Sequence, residues 1–154
     1  MKIQFYHQKN QGNLPTELQN QIISSDKELM DFPWAAEHWQ KIFKHFENYC
    51  LVLMLDADKL VGFILGSADP DNFHLLKIVV EKNYRRQGLA QKLFDFLIQW
   101  QQKEGKKNIN LEVRNSNASA IHFYQKNQFL TLHTQAKFYS SGETALIMQR
   151  KLDK

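Results

Sequence analysis

The sequence predicts one α/β domain of the α+β kind, with a central mixed sheet flanked by helices on both faces. Three observations predict it. The elements run strand, helix, helix, three strands, helix, strand, helix, two strands, so a hairpin-linked run gives way to strand–helix alternation. Phe73–Glu81 is a nearly continuous apolar run, the pattern of a central strand buried on both faces. The chain has 154 residues, 43% of them apolar, which suits a single domain over residues 1–154. A chain of that size buries about 68–70% of its unfolded surface, enough to fold without disulfides or a structural metal.

Ile3–Tyr6 reads as a short first strand, ended by Gly12-Asn13-Leu14-Pro15. Thr16–Ser25 carries a helical stripe of Leu18, Ile22 and Ile23. Asp31-Phe32-Pro33-Trp34 is the next break, because the proline forces Phe32 to be extended. Over Ala35–Phe46, Trp39, Ile42, Phe43 and Phe46 recur at spacings of three and four, an amphipathic helix. Cys50–Leu55 and Leu60–Gly66 form a hairpin about Asp56-Ala57-Asp58-Lys59, and Asp69-Pro70-Asp71-Asn72 turns into the central strand. Gly88–Lys103 is a long helix with a wide apolar face and Gly105 as its C-cap. Asn108–Arg114 places Ile109, Leu111 and Val113 on one side of a strand. Ser116 or Asn117 caps a helix to about Asn127, and Phe129–Phe138 and Ala145–Leu152 read as two last strands.

The charge balance is 20 basic against 16 acidic residues, a net +4 that suits an anionic ligand without demanding one. No basic stripe interleaved with aromatics points to direct nucleic-acid binding. Cys50 is the single cysteine, a small buried hydrophobe by its setting, and a reducing compartment follows. No apolar stretch approaches the 18–20 residues of a membrane span, and residues 1–7 do not read as a signal peptide, so the expected location is cytoplasmic. The histidines at 7, 38, 45, 74, 122 and 133 show no metal-ligand spacing, and no metal is expected.

The richest local signal is Tyr84-Arg85-Arg86-Gln87-Gly88-Leu89-Ala90, set between the central strand and the long helix. A helix start has four unpaired N–H groups and the positive end of the dipole. Gly88 and Ala90 let a ligand approach the backbone, while Lys82, Arg85 and Arg86 add positive charge, making an anion site. Neither a P-loop nor a dinucleotide fingerprint is spelled here. By itself the loop reads equally as a solvated basic helix start.

Leu111-Glu112-Val113 sets a carboxylate in an apolar strand, facing opposite to its neighbours. Such a charge is hydrated in a cleft at the strand's carboxyl end, or on an exposed edge strand. Asn117, Ala120, Ile121 and Tyr124 share one helix face, so Tyr124 can overhang the same cleft or be an ordinary buried tyrosine.

Together these residues resemble the GNAT acetyltransferase superfamily, whose acyl-CoA loop reads Arg/Gln-x-x-Gly-x-Gly/Ala after a central strand. Here that loop is Arg85-Arg86-Gln87-Gly88-Leu89-Ala90 after Leu76-Lys77-Ile78-Val79-Val80. Leu111-Glu112-Val113-Arg114, Ser116-Asn117-Ala118, Phe123-Tyr124, Phe32-Pro33-Trp34 and Ala145-Leu146-Ile147-Met148 are similar to the RimI-type branch, which acetylates the N-terminal alanine of a small-subunit ribosomal protein. The resemblance covers roughly residues 30–150.

It implies a GNAT fold and acetyl-CoA as co-substrate. Ile78, Val79 and Val80 would meet the pantetheine arm and thioester, and Arg85, Arg86, Gln87, Gly88, Leu89, Ala90 and Gln91 the pyrophosphate. Asn117 would touch the CoA arm, with Glu112 as general base and Tyr124 as general acid. Ala90 stands where glycine is commoner, Asn127-Gln128 where glycine usually ends the helix, and Phe138-Tyr139-Ser140-Ser141-Gly142 lacks the branch's Tyr-Tyr-Pro wording. The acceptor would be a peptide α-amine of a ribosomal protein. The alternatives are a small amine, such as a polyamine or aminoglycoside, and a non-catalytic CoA-binding module. The resemblance leaves both monomer and homodimer open.

Overall fold

The computed structural model describes residues 14–152 and the backbone of residues 3–9. Seven strands form one sheet in the order β1-β2-β3-β4-β5-β7-β6. They are β1 (Ile3–Lys9), β2 (Tyr49–Asp56), β3 (Lys59–Ala68), β4 (Asn72–Val80), β5 (Asn108–Arg114), β6 (Leu130–Gln135) and β7 (Ala145–Lys151). The helices are α1 (Thr16–Leu29), α2 (Ala36–Lys44), α3 (Leu89–Lys103) and α4 (Ala118–Lys126), with short 3-10 turns at Phe46–Asn48 and Lys82–Tyr84. The element order and the mixed sheet expected from the sequence are observed.

The sheet has a core on each face. Ile22 of α1 and Trp39 and Ile42 of α2 pack with Leu51, Phe63 and Val79 on one side. Leu93, Phe94 and Leu97 of α3 pack with Val52, Ile64, Leu111 and Phe129 on the other. β5 alternates as read, with Ile109, Leu111 and Val113 buried, and Cys50 is buried. Several boundaries move. α1 runs on to Leu29, because its polar final turn buries Ser25 and Asp26. β6 ends at Gln135 rather than Phe138, and all six of its residues are exposed, as befits an edge strand no helix covers.

β4 serves both cores by a route the apolar run does not reveal. Across β3, Gly66 pairs with Leu75 and Leu65 with Lys77, so Leu76 is an extra, unpaired residue. Such a bulge shifts the alternation of faces. Phe73 and Leu75 lie in the α3-side core, whereas Val79 lies in the α1-side core and Lys77 reaches Asp26 of α1.

Candidate active site

β4 and β5 form the sheet's parallel pair, and they stay paired only over Asn72–His74 and Asn108–Asn110. Beyond that the strands part. A cleft of about 260 Å³ opens there, lined by Ile78, Val79, Val80, Arg85, Ala90 and Tyr124, with Met30 from the chain after α1. Ile78, Val79, Val80, Arg85, Ala90 and Tyr124, which the sequence singled out, thus meet at one place. A polar hollow of about 310 Å³ lies at the other end of the sheet, beside Glu47, Asp69 and Lys106, and holds none of them.

One end of the cleft is the start of α3. Gly88 is the N-cap at φ 73°, a conformation glycine adopts without a Cβ penalty, and nothing crowds the space where a Cβ would stand. Arg86 shares the left-handed region, at φ 61°. The first helical bond runs from Lys92 N–H to Gly88 O, so the N–H groups of Leu89, Ala90 and Gln91 have no intrahelical acceptor. The side chains of the loop divide the work. Arg85 Nε donates to Val80 O at 3.1 Å, which ties the guanidinium to the end of β4. Gln87 donates to Asn83 O, and Gln91 exchanges hydrogen bonds with Asn127 at 2.6 and 3.0 Å. Leu89 is buried in the core, leaving only its backbone to a ligand. Arg86 is exposed and makes no side-chain bond among the described residues, which leaves its guanidinium free. Asn117 spends its carboxamide oxygen on Ala120 N–H as the α4 cap, leaving its NH2 group.

Glu112 and Tyr124 reach the parting from different directions and do not touch each other. Glu112 faces away from the core that Leu111 and Val113 fill. Its oxygens lie 2.7 and 2.9 Å from His74 Nε2, so β5 is an inner strand and this carboxylate has a partner on β4. Tyr124 sits in the α3-side core against Phe123 and Phe129. Burial, reinforced by the phenol of Tyr139, pushes its hydroxyl far above the ordinary range. A phenol so placed remains protonated throughout neutral pH and so has a proton to give.

Behind Glu112 two loops meet. The Arg114 guanidinium is stacked between Phe32 and Tyr139, 3.5 and 3.9 Å from their ring centres. It also donates to Ser141 Oγ and Glu143. Hydrogen bonds from Ser116 and Arg114 hold the Glu143 carboxyl below its usual range. Tyr139 is raised chiefly by burial; Arg114 opposes that, while the charges of Glu112 and Glu143 add to it. The Phe-Pro-Trp segment is explained from both ends. Phe32 caps Arg114, and the Trp34 N–H donates to buried Asp26, which also accepts from Trp39 Nε1 and Lys77.

Sequence reasoning missed His74, Lys77, Asp26 and Tyr139. His74 is 38 residues from its carboxylate and carries no motif. Lys77 is masked by the apolar run around it; its charge amid that run was the one available signal. Tyr139 stands in the segment that departs from the branch's wording, yet it supplies an aromatic wall.

The sequence model of the acetyltransferase (GNAT) family matches residues 18–129. The [ribosomal protein bS18]-alanine N-acetyltransferase of Escherichia coli strain K12 is 31% identical over 120 residues, 76% of this chain and 80% of that protein. The crystal structure of the ribosomal-protein-S18-alanine N-acetyltransferase from Escherichia coli superposes with a TM-score of 0.82 at 26% identity, covering 98% of this chain and 96% of the other. Arabidopsis thaliana NAA60 in complex with acetyl-CoA shares the fold, with a TM-score of 0.80 at 14% identity over 97% of this chain and 98% of that one.

Proposed function

The chain belongs to the acetyltransferase (GNAT) family and is an acetyl-CoA-dependent N-acetyltransferase; from that premise we propose that its acceptor is the α-amine of an N-terminal alanine on a small-subunit ribosomal protein. One observation carries the reading: where β4 and β5 part, a cleft lined by the buried phenol of Tyr124 adjoins a helix start free to hold phosphate, and the Glu112 carboxylate stands two positions beyond the last register pair. The similarity to the bS18-alanine enzyme supports the acceptor.

In this reading the N–H groups of residues 89–91 and the Arg86 guanidinium take the pyrophosphate, and Asn117 steadies the CoA arm. Backbone of Ile78–Val80 aligns the pantetheine and stabilises the oxyanion of the tetrahedral intermediate. Glu112, directly or through a water, removes the amine proton. The amine attacks the thioester carbonyl, and Tyr124 gives its proton to the departing thiolate. At neutral pH roughly a tenth of peptide α-amines are already free base, against under a thousandth of lysine side chains, so a weak base suffices. The protein works as one domain over residues 1–154, as a monomer or homodimer, in the cytoplasm. No helix among the described residues is long and apolar enough to cross a membrane.

The test is thiol release from acetyl-CoA with a peptide beginning Ala-Arg, the same peptide with a blocked α-amine, and spermidine. Release with the free peptide alone is expected. Release with spermidine alone moves the acceptor to small amines. Binding of CoA without release in any arm leaves a CoA-binding module.

A further inference from the structure

The cleft at the parting is lined from both faces of the sheet, and the two faces contribute different parts of the chain. Ala90, Ala120 and Tyr124 pack with the α3-side core, and Arg85 and Ser119 line the cleft just before α3 and in the first turn of α4. Met30 packs instead with the α1-side core, which also holds Val79. It is the one lining residue that precedes β4 in the chain. Its backbone is fixed as the C-cap of α1, where its N–H donates to Asp26 O at 3.1 Å. Asp26 is in turn held by Trp39 and Lys77. The Met30 side chain is partly buried, and it is unbranched and flexible.

We propose that Met30 is a specificity-determining residue that sets the length of the acyl chain, an inference that rests on the acetyltransferase reading of this site. Acetyl and propionyl groups are admitted, and butyryl and longer chains are turned away. In that reading the amine gives its proton to Glu112 and bonds to the thioester carbon, the C–S bond breaks, and the thiolate takes the Tyr124 proton. The attacked carbon carries four substituents in the tetrahedral intermediate. Its oxygen faces the backbone of Ile78–Val80. Its sulfur, on the arm that enters from the start of α3, lies with Tyr124. The nitrogen arrives from the β5 side of the parting, where Glu112 stands. One direction remains for the acyl chain, toward the α1-side neighbours of β4, and Met30 stands there.

The other apolar walls of the cleft cannot yield to a longer chain. Val79 is buried in the α1-side core and paired with Phe63 of β3, and Ile78 is paired with Ile64. Phe123 is held between the rings of Phe94 and Tyr124, whose centres lie 5.7 and 5.8 Å from its own. Met30 differs from them because it lies beyond the end of a helix and has three rotatable side-chain bonds. A thioether chain of that kind shifts to admit about one more methylene, as methionine does in irregular cores. A second methylene has no such room. A pocket that rejects one methylene discriminates by about 10–200-fold. The surroundings of Met30 and Val79 are apolar, which suits an uncharged acyl group.

The test is a calorimetric titration of the wild type, Met30→Ala and Met30→Phe with CoA, acetyl-CoA, propionyl-CoA and butyryl-CoA. Each acyl-CoA affinity is divided by that of free CoA for the same variant, which removes any general loosening of the cleft. We expect the wild type to bind butyryl-CoA at least about tenfold more weakly than acetyl-CoA, with propionyl-CoA close to acetyl-CoA. Met30→Ala should raise the butyryl-to-acetyl ratio by at least about tenfold. Met30→Phe, which adds bulk at the same place, should weaken propionyl-CoA by a similar factor. A smaller rise in Met30→Ala overturns the proposal, as does a wild type that binds all three acyl-CoAs alike. If Met30→Ala does not fold, a Met30→Phe protein with the wild-type propionyl-to-acetyl ratio overturns it as well. A purely structural role for Met30 would move free CoA and the three acyl-CoAs together. Binding needs neither an amine nor a proton transfer, so a failed acceptor or acid–base assignment and a failed acyl gauge are told apart.

Discussion

Lys77→Met is the most exacting test of how the segment around Trp34 is held. Asp26 is fully buried, and its Oδ2 accepts from Trp34 N–H at 2.9 Å and Trp39 Nε1–H at 2.8 Å. Its Oδ1 accepts from the Lys77 ammonium, itself almost fully buried and 4.5 Å from the centre of the Trp34 ring. Burial pulls the Lys77 pKa down while the bond to Asp26 holds it up. Methionine fills the same volume but strands the carboxylate with two neutral donors. Breaking one side of a buried ion pair costs about 3–5 kcal/mol. For a domain of this size each kcal/mol moves Tm by about 2–4 °C, which predicts a loss of about 6–20 °C. Thermal and urea unfolding at pH 7 measure it. The Asp26→Asn/Lys77→Met double variant removes both charges, keeps an acceptor for the two tryptophan donors, and should recover most of the loss. A single variant that loses under about 1 kcal/mol, or a double variant no better than the single one, refutes the reasoning.

Three further outcomes follow from the same geometry. Tyr124→Phe should lower kcat by about 10²–10⁴-fold with little change in acetyl-CoA affinity or stability, because the hydroxyl has no hydrogen-bond partner among the described residues; steady-state kinetics with calorimetric CoA titration check both halves, and unchanged turnover removes Tyr124 from the mechanism. Arg86→Ala should weaken CoA binding, most at low salt, since its exposed charge is screened by ions; Arg85→Ala should in addition cost stability, because it also frees Val80 O, and titrations at two ionic strengths separate the two. Gly66→Ala would place a methyl 2.2 Å from Phe73 Cζ and 2.5 Å from His74 O, an overpacking worth about 1–3 kcal/mol that displaces β4 at His74; denaturant unfolding reads the first effect and kcat the second.

What the amino-acid order determined by itself is local. Periodicity placed the seven strands and four α-helices in order, and the long helix with its glycine start was legible because a helix start needs only its own first turn. Strand alternation alone put Glu112 opposite Leu111 and Val113, and helix spacing put Tyr124 on the face that lines the cleft. Cys50 fell inside the core as a small apolar side chain would. The tertiary structure decided everything that depends on two distant segments meeting. The unpaired Leu76 turns β4 so that a lysine in an apolar run reaches a carboxylate on α1. The parting of β4 from β5 is set by where their parallel register stops. The partner of Glu112, the stack of Phe32, Arg114 and Tyr139, and the early end of β6 all follow from cross-sheet and loop–loop contacts. A one-residue register shift exchanges the faces of a strand without altering its composition, so no count of apolar residues along the chain can contain it.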